Sequence, residues 1–274
     1  MSVLVLRILA ILFMLIDHVG FLLAGLDLPF TTPLRLIGRL AFPIFAFLIA
    51  NGFRHTHSRL KYALRLLLVA VLSEIPYDLF VNGKITLYSR GAHLVTPRLD
   101  NVCFTLLLGL IFLCIHDFCK KRGGFAYVLD VAALLVIAEG ALLISADYGR
   151  VGVLLIAAFG VFDLQDRRER PYAIAGLCLF AFWDMLFTAL PLLLKSLGLN
   201  LYAIPFSTLL LGQGLSKMSF WRMASLLALP ILLLYNGQQK KLKRPFDTIV
   251  KVAFYAFYPL HLLLLVLLRF WLKA

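Results

Sequence analysis

Charge is what this sequence has least of. Only 15% of its 274 residues are charged and 14 are Asp or Glu, whereas a soluble domain is typically about a quarter charged. That scarcity excludes the soluble, fibrous and disordered classes. Cysteine is sparse as well: Cys103, Cys114, Cys119 and Cys178 lie in or beside apolar runs without Cys-x-x-Cys spacing, which argues against a zinc site and a disulfide framework. Walker-type and Gly-x-Gly-x-x-Gly phosphate loops are missing. Gly212-Gln213-Gly214 lacks the strand-to-helix setting that gives such glycines meaning, so ATP-driven chemistry is not expected. No repeat, linker or low-complexity stretch divides the chain, and residues 1–274 read as one domain.

Apolar sequence is abundant. Hydrophobic residues make up 62% and mean hydropathy is +0.94, the composition of an all-α, polytopic integral membrane bundle. The 27 Lys plus Arg give a net charge of +13, which in a soluble protein would suggest nucleic acid. Here they cluster between apolar runs and belong to loops, so no nucleic-acid partner is expected. A helix needs about 20 apolar residues to cross a hydrocarbon core of about 30 Å. Candidate spans are 4–24, 34–53, 62–81, 102–116, 125–145, 149–164 and 172–193, two shorter runs at 199–215 and 221–235, and 247–270. Arg7 and Asp17-His18 interrupt the first, which is therefore expected to stay rather than be cleaved. Basic clusters at Arg54, Arg59 and Lys61, at Lys120 to Arg122, at Arg167, Arg168 and Arg170, and at Lys240, Lys241, Lys243 and Arg244 mark the cytoplasm and place the N-terminus inside. Three full spans between 172 and 235 would push the last cluster outside. Of nine or ten crossings, nine is favoured, with one re-entrant or half-length segment and the C-terminus outside.

An ionisable side chain inside a span costs on the order of 2.5–3.5 kcal/mol, so each is a functional candidate by default. His18 follows Arg7 by eleven residues, which is about 16 Å along a helix and about 20° off the same face. Arg7 then lies near the cytoplasmic surface and His18 near mid-membrane, both looking into one cavity. Asp17, Arg39, Ser73, Glu74, Asp78, Asp184 and His261 fall in the middle or outer half by the same counting. Glu74 and Asp78 share a helical face, and Arg39 on the neighbouring helix sits near their level, so an ion pair or triad is expected there. Asp17 adjoins His18 and is expected to orient its imidazole and raise its basicity. His261, in Tyr258-Pro259-Leu260-His261, either caps carbonyls freed by Pro259 or faces the site; Asp184 is either a helix-to-helix hydrogen bond or a site carboxylate. His55, His57 and His93 read as solvated loop residues, with no metal-ligand spacing. A neutral His18 can take a proton from an incoming amine or hydroxyl, and basic residues at the mouth (Arg7, Arg54, Arg59, Lys61, Arg65) suit a phosphorylated donor. On physics alone this serves group transfer across a bilayer or a proton-coupled transporter. A transporter predicts inverted repeats, and the Asp17-His18 helix has no counterpart in the second half.

Seven blocks of residues carry a resemblance to a known family. Ile16-Asp17-His18-Val19-Gly20, Ile37-Gly38-Arg39-Leu40-Ala41-Phe42-Pro43 with Asn51-Gly52-Phe53, and Ser73-Glu74-Ile75-Pro76-Tyr77-Asp78 resemble the TraX family of membrane proteins, known for N-terminal acetylation of conjugative pilin. So do Asn101-Val102-Cys103-Phe104-Thr105, Asp147-Tyr148-Gly149, Leu234-Tyr235-Asn236-Gly237 and Phe257-Tyr258-Pro259-Leu260-His261. More loosely, Arg7 and His18 are similar to the Arg-x10-His pair of acyltransferase-3 membrane enzymes, although no long extracytoplasmic domain is present to choose an acceptor. The resemblance implies a transmembrane acyltransferase in the bacterial inner membrane, surrounded by lipid. Its donor would be cytoplasmic acetyl-CoA, with no metal, and its acceptor a pilin N-terminus, another exported polypeptide or a surface glycan. It implies His18 and Asp17 as catalytic, Arg7 and Arg54 on the donor, and Arg39, Glu74, Asp78, Asp184, Tyr258 and His261 on the acceptor side or in support. A non-enzymatic membrane assembly factor is the other alternative.

Overall fold

The computed structural model describes residues 1–85, 88–90, 95–197, 221–238 and 246–273. The expected run at 199–215, the cluster at Lys240 to Arg244, His93 and the Gly212-Gln213-Gly214 triplet lie outside the described residues. Ten α-helices are described: α1 Val3–Ala24, α2 Thr31–Gly38, α3 Ala41–His55, α4 Arg59–Val81, α5 Val102–Arg122, α6 Ala126–Leu143, α7 Gly149–Val161, α8 Arg170–Ser196, α9 Ala228–Leu233 and α10 Phe246–Lys273. A 3-10 turn, Ala224–Leu227, leads into α9, and two three-residue strands, Tyr88–Arg90 and Val95–Pro97, pair antiparallel between α4 and α5. Among the described residues, six segments are long and apolar enough to cross a membrane: α1, α2 with α3, α5, α6, the first part of α8 and α10. The protein is a multi-pass membrane helical bundle.

Local chemistry explains the boundaries. The expected span 34–53 is two helices broken at Arg39-Leu40, because Pro43 in the first turn of α3 has no N–H to donate and its ring excludes the carbonyl four residues back. Arg39 itself keeps helical backbone angles and bonds the Arg35 carbonyl, so it follows Arg35 by one turn on the same face. Asn101 caps α5 by accepting from the Cys103 N–H at 3.0 Å, and Gly123, at φ 65°, ends the helix after Lys120, Lys121 and Arg122.

Direction settles the number of crossings. Met1 donates to the Leu234 carbonyl at 2.6 Å, and Tyr235 reaches Asn51 near the end of α3, so these groups share one end of the bundle. The basic clusters around Arg54 and Arg59 lie there too, tied to Asp163 and Asp117. At the other end Arg269 of α10 donates to the Phe80 carbonyl of α4 at 2.9 Å and lines a cavity with Ala24 and Gly25. The helices α1, α4 and α10 therefore run parallel. Parallel α1 and α10 require an odd number of transits, which nine satisfies and ten does not.

Close packing of α2 on α1 brings Arg35 and Arg39 up to Asp17. A Cβ added at Gly38 would lie 2.6 Å from the Asp17 Cα, and one at Gly20 would lie 2.8 Å from the Leu34 Cβ. Replacing Gly38 by alanine is expected to push α2 off α1 and lower stability by about 1–3 kcal/mol, the usual cost of overpacking. A melting temperature in detergent equal to wild type would show that the two helices yield without strain.

Candidate active site

His18 and His261, 243 residues apart, meet where α1 and α10 pack side by side. Their ring nitrogens, Nδ1 of His18 and Nε2 of His261, are 2.7 Å apart, and the ring planes differ by 7°. His261 Nδ1 lies 2.8 Å from the Phe257 carbonyl. A carbonyl only accepts, so His261 Nδ1 carries the hydrogen and, in the neutral ring, Nε2 offers its lone pair. His18 Nδ1 must then donate to it. The remaining nitrogen, His18 Nε2, is left as the proton acceptor of the pair, a tautomer assigned by the hydrogen-bond network. Phe80 stands edge-on to the His18 ring at 5.6 Å, and Tyr258 lies 5.6 Å from the His261 ring. Beyond Phe80 a cavity of about 240 Å³, lined by Phe21, Leu22, Gly25, Val81 and Arg269, opens at the end of the bundle away from Met1.

Beside the dyad lies a second buried group. Arg35 donates to Asp17 Oδ2 at 2.7 Å, and Arg39 is 3.5 Å from Asp17 Oδ1 and 3.2 Å from the Tyr148 hydroxyl, to which it donates. Both arginines lie within electrostatic reach of His18. Arg35 also sits over the rings of Phe21 and Trp221. In the loop ahead of α7, burial holds the Asp147 carboxyl up at about 6 despite the pull of Arg39. Asp147 lies within electrostatic reach of Arg39, Arg35 and Asp17.

The sequence pattern of the TraX protein family matches residues 2–269 of this chain. This chain belongs to the TraX family. It is 24% identical over 268 residues to the probable fimbrial assembly protein FimC, serogroup H1, of Dichelobacter nodosus, a match spanning 95% of this chain and 92% of that one. No solved structure matches.

Several expected contacts of this TraX chain form differently. Asp17 does not orient His18. Consecutive helical residues point about 100° apart, so the carboxylate turns to Arg35 and Arg39 while the imidazole turns to His261. The expected pairing of Arg39 with Glu74 or Asp78 is replaced by Asp17 and Tyr148, because Arg39 lies one turn after Arg35 on the face that packs against α1. Glu74 instead accepts from the Asp100 N–H at 2.8 Å and from the Asn101 amide, and Asp78 accepts from the Asn82 amide at 2.9 Å. Both carboxylates thus anchor the connection between α4 and α5. Asp184 pairs with Arg222 at 3.1 Å, the helix-to-helix reading. His261 binds the Phe257 carbonyl, not the Tyr255 carbonyl that Pro259 frees, and its other ring nitrogen meets His18.

On the end shared with Met1, Arg7 lies near Tyr62 and Tyr235 and has no carboxylate partner among the described residues. Arg54, by contrast, donates to the Phe159, Gly160 and Phe162 carbonyls at 2.6, 3.3 and 3.2 Å. It therefore caps the C-terminal end of α7, where the orphan carbonyls need donors. Changing Arg54 to alanine is expected to cost about 1–3 kcal/mol through those lost partners. Thermal unfolding of the variant in detergent checks this; a melting temperature equal to wild type would show that the α7 carbonyls find other donors.

Sequence reasoning missed Arg35, Tyr148 and Asp147 as parts of the buried cluster, and also a hydrogen-bonded pair, His116 and Asp130, 2.6 Å apart between α5 and α6. The signal was present: Arg35 lies one turn before Arg39, and Asp130 is a lone carboxylate in an apolar run. Among the described residues, no group of three or more His, Cys, Asp or Glu is placed to hold a metal ion.

Proposed function

We propose that this protein is a membrane acetyltransferase that moves an acetyl group from cytoplasmic acetyl-CoA to an acceptor on the outer side, in the bacterial inner membrane and with the N-terminus inside. The observation that carries the reading is the His18–His261 hydrogen bond, which leaves His18 Nε2 as a half-buried base with its tautomer held from behind. His18 Nε2 takes the proton of the acceptor amine or hydroxyl as that atom attacks the acetyl carbonyl carbon. The carbon–sulfur bond breaks, and the leaving thiolate recovers the proton from His18. Positive charge on His18 during the step is shared with a neutral imidazole acceptor, His261. Arg7 offers a guanidinium to the donor phosphates at the end carrying the basic clusters. The cavity behind Phe80 gives the acceptor an approach from the opposite end. The name of the Dichelobacter nodosus relative, a fimbrial assembly protein, favours a pilin or pilus-associated polypeptide as acceptor.

The same name supports a second reading, an assembly factor without catalysis. One experiment separates the two: purified protein with radiolabelled acetyl-CoA, alone and with a pilin N-terminal peptide. Thioester loss with label on the peptide supports the enzyme. A folded protein that neither binds nor turns over acetyl-CoA sinks it.

A further inference from the structure

Away from the dyad, a slot of about 300 Å³ runs between α6 and α8 with α7 as its floor. That volume is at the lower edge of the range for ligand pockets, roughly 300–1,000 Å³. Its walls are almost wholly apolar, among them Leu134, Leu154, Leu179 and Trp183, and its polar groups are His116 and Asp130 at one end. The slot follows the helix axes. Along α7 it extends from Val151 to Val161, about 15 Å, and the His116–Asp130 pair sits at the Val161 end. Val131 and Leu179 on its rim are exposed, so it opens sideways toward the bilayer.

The polar end is unfinished. His116 Nδ1 is bonded to Asp130 Oδ2, and Asp130 is more than nine-tenths buried, while Asp130 Oδ1 is buried with no hydrogen-bond partner among the described residues. A buried carboxylate oxygen without a donor costs free energy, and a ligand donor removes that cost. At the end of α5 beyond it Lys121 pairs with Asp117 at 2.7 Å and Arg122 lies over Phe118, while exposed Lys120, one turn after His116, offers an ammonium suited to phosphate. An elongated apolar slot, an acidic oxygen lacking a donor and a phosphate-attracting lysine fit one occupant. We infer that the slot holds a membrane phospholipid with an amine headgroup: one chain lies along α7, the ammonium donates to Asp130 Oδ1, and the phosphate faces the basic end of α5.

The test uses the full-length protein in nanodiscs of equimolar phosphatidylethanolamine and phosphatidylglycerol with identical chains, followed by mass spectrometry of the lipid retained after delipidation. Wild type is expected to retain about one phosphatidylethanolamine, enriched about tenfold over phosphatidylglycerol. Asp130→Asn is expected to lose the enrichment and keep a lipid. Leu179→Trp, which fills the rim and leaves the polar pair intact, is expected to lose retention of both. Equal retention of the two lipids by wild type, no retained lipid, or unchanged enrichment in folded Asp130→Asn would each overturn the inference. None of these readouts depends on acetyl transfer.

Discussion

Replacing His18 by alanine is expected to lower acetyl transfer by a factor of about 10²–10⁴, the usual worth of a positioned general base, while leaving expression and detergent stability near wild type. The fold tolerates the change because His18 contributes one hydrogen bond to a neighbour that keeps its own anchor on the Phe257 carbonyl. In the proposed transferase His261 would act through His18, as a positioning residue. His261→Ala removes the acceptor for His18 Nδ1–H, frees the tautomer and should cost roughly 10²-fold in kcat. His261→Gln retains a carbonyl oxygen that can accept that hydrogen and should recover most of the loss. The donor KM is expected to move little in either variant. A His18→Ala protein that still transfers acetyl to peptide would remove the mechanism. Equal activities for the alanine and glutamine variants at His261 would show that it only packs.

The second large effect is expected at Arg35. Asp17 is mostly buried, its side chain 15% exposed, and its near partner is Arg35 at 2.7 Å, with Arg39 farther at 3.5 Å. Removing one partner of a buried pair typically costs about 3–5 kcal/mol, since a carboxylate is left desolvated without its cation. Arg35→Ala is therefore expected to lower stability by about that much and Arg39→Ala by less, because the latter leaves the shorter Asp17 contact intact. Thermal unfolding of the purified variants in one detergent compares them directly. Replacing Asp17 and Arg35 together by leucine should restore much of the loss, as apolar pairs often equal buried ion pairs. If Arg35→Ala melts with wild type, the pair is decorative; if Arg39→Ala is the more damaging, the cluster is organised around Tyr148 and Asp147.

Composition and hydrophobic period determined a great deal. Low charge and long apolar runs established a multi-pass helical bundle, and insertion cost alone singled out His18, Asp17, Arg39, Asp184 and His261 as residues that need a reason to be where they are. The Glu74 and Asp78 pair was legible as one face of one helix. What that face meets was not, and it meets the connection to α5 rather than Arg39.

The physical reason is that helical spacing reports which residues share a face and at what depth, while partners are set by which helices touch. Helix contacts depend on where chain breaks fall and where small residues permit close approach. Pro43 interrupts the second span; Gly20 and Gly38 let α2 lie close enough on α1 for Arg35, and Arg39 one turn later, to reach Asp17. Sequence alone determined the membrane class, most of the helical segments and which residues share a helical face. Only the tertiary structure decided that α1 and α10 run parallel and adjacent, which makes the total number of crossings odd and joins His18 to His261 across 243 residues, a distance over which no local periodicity can speak.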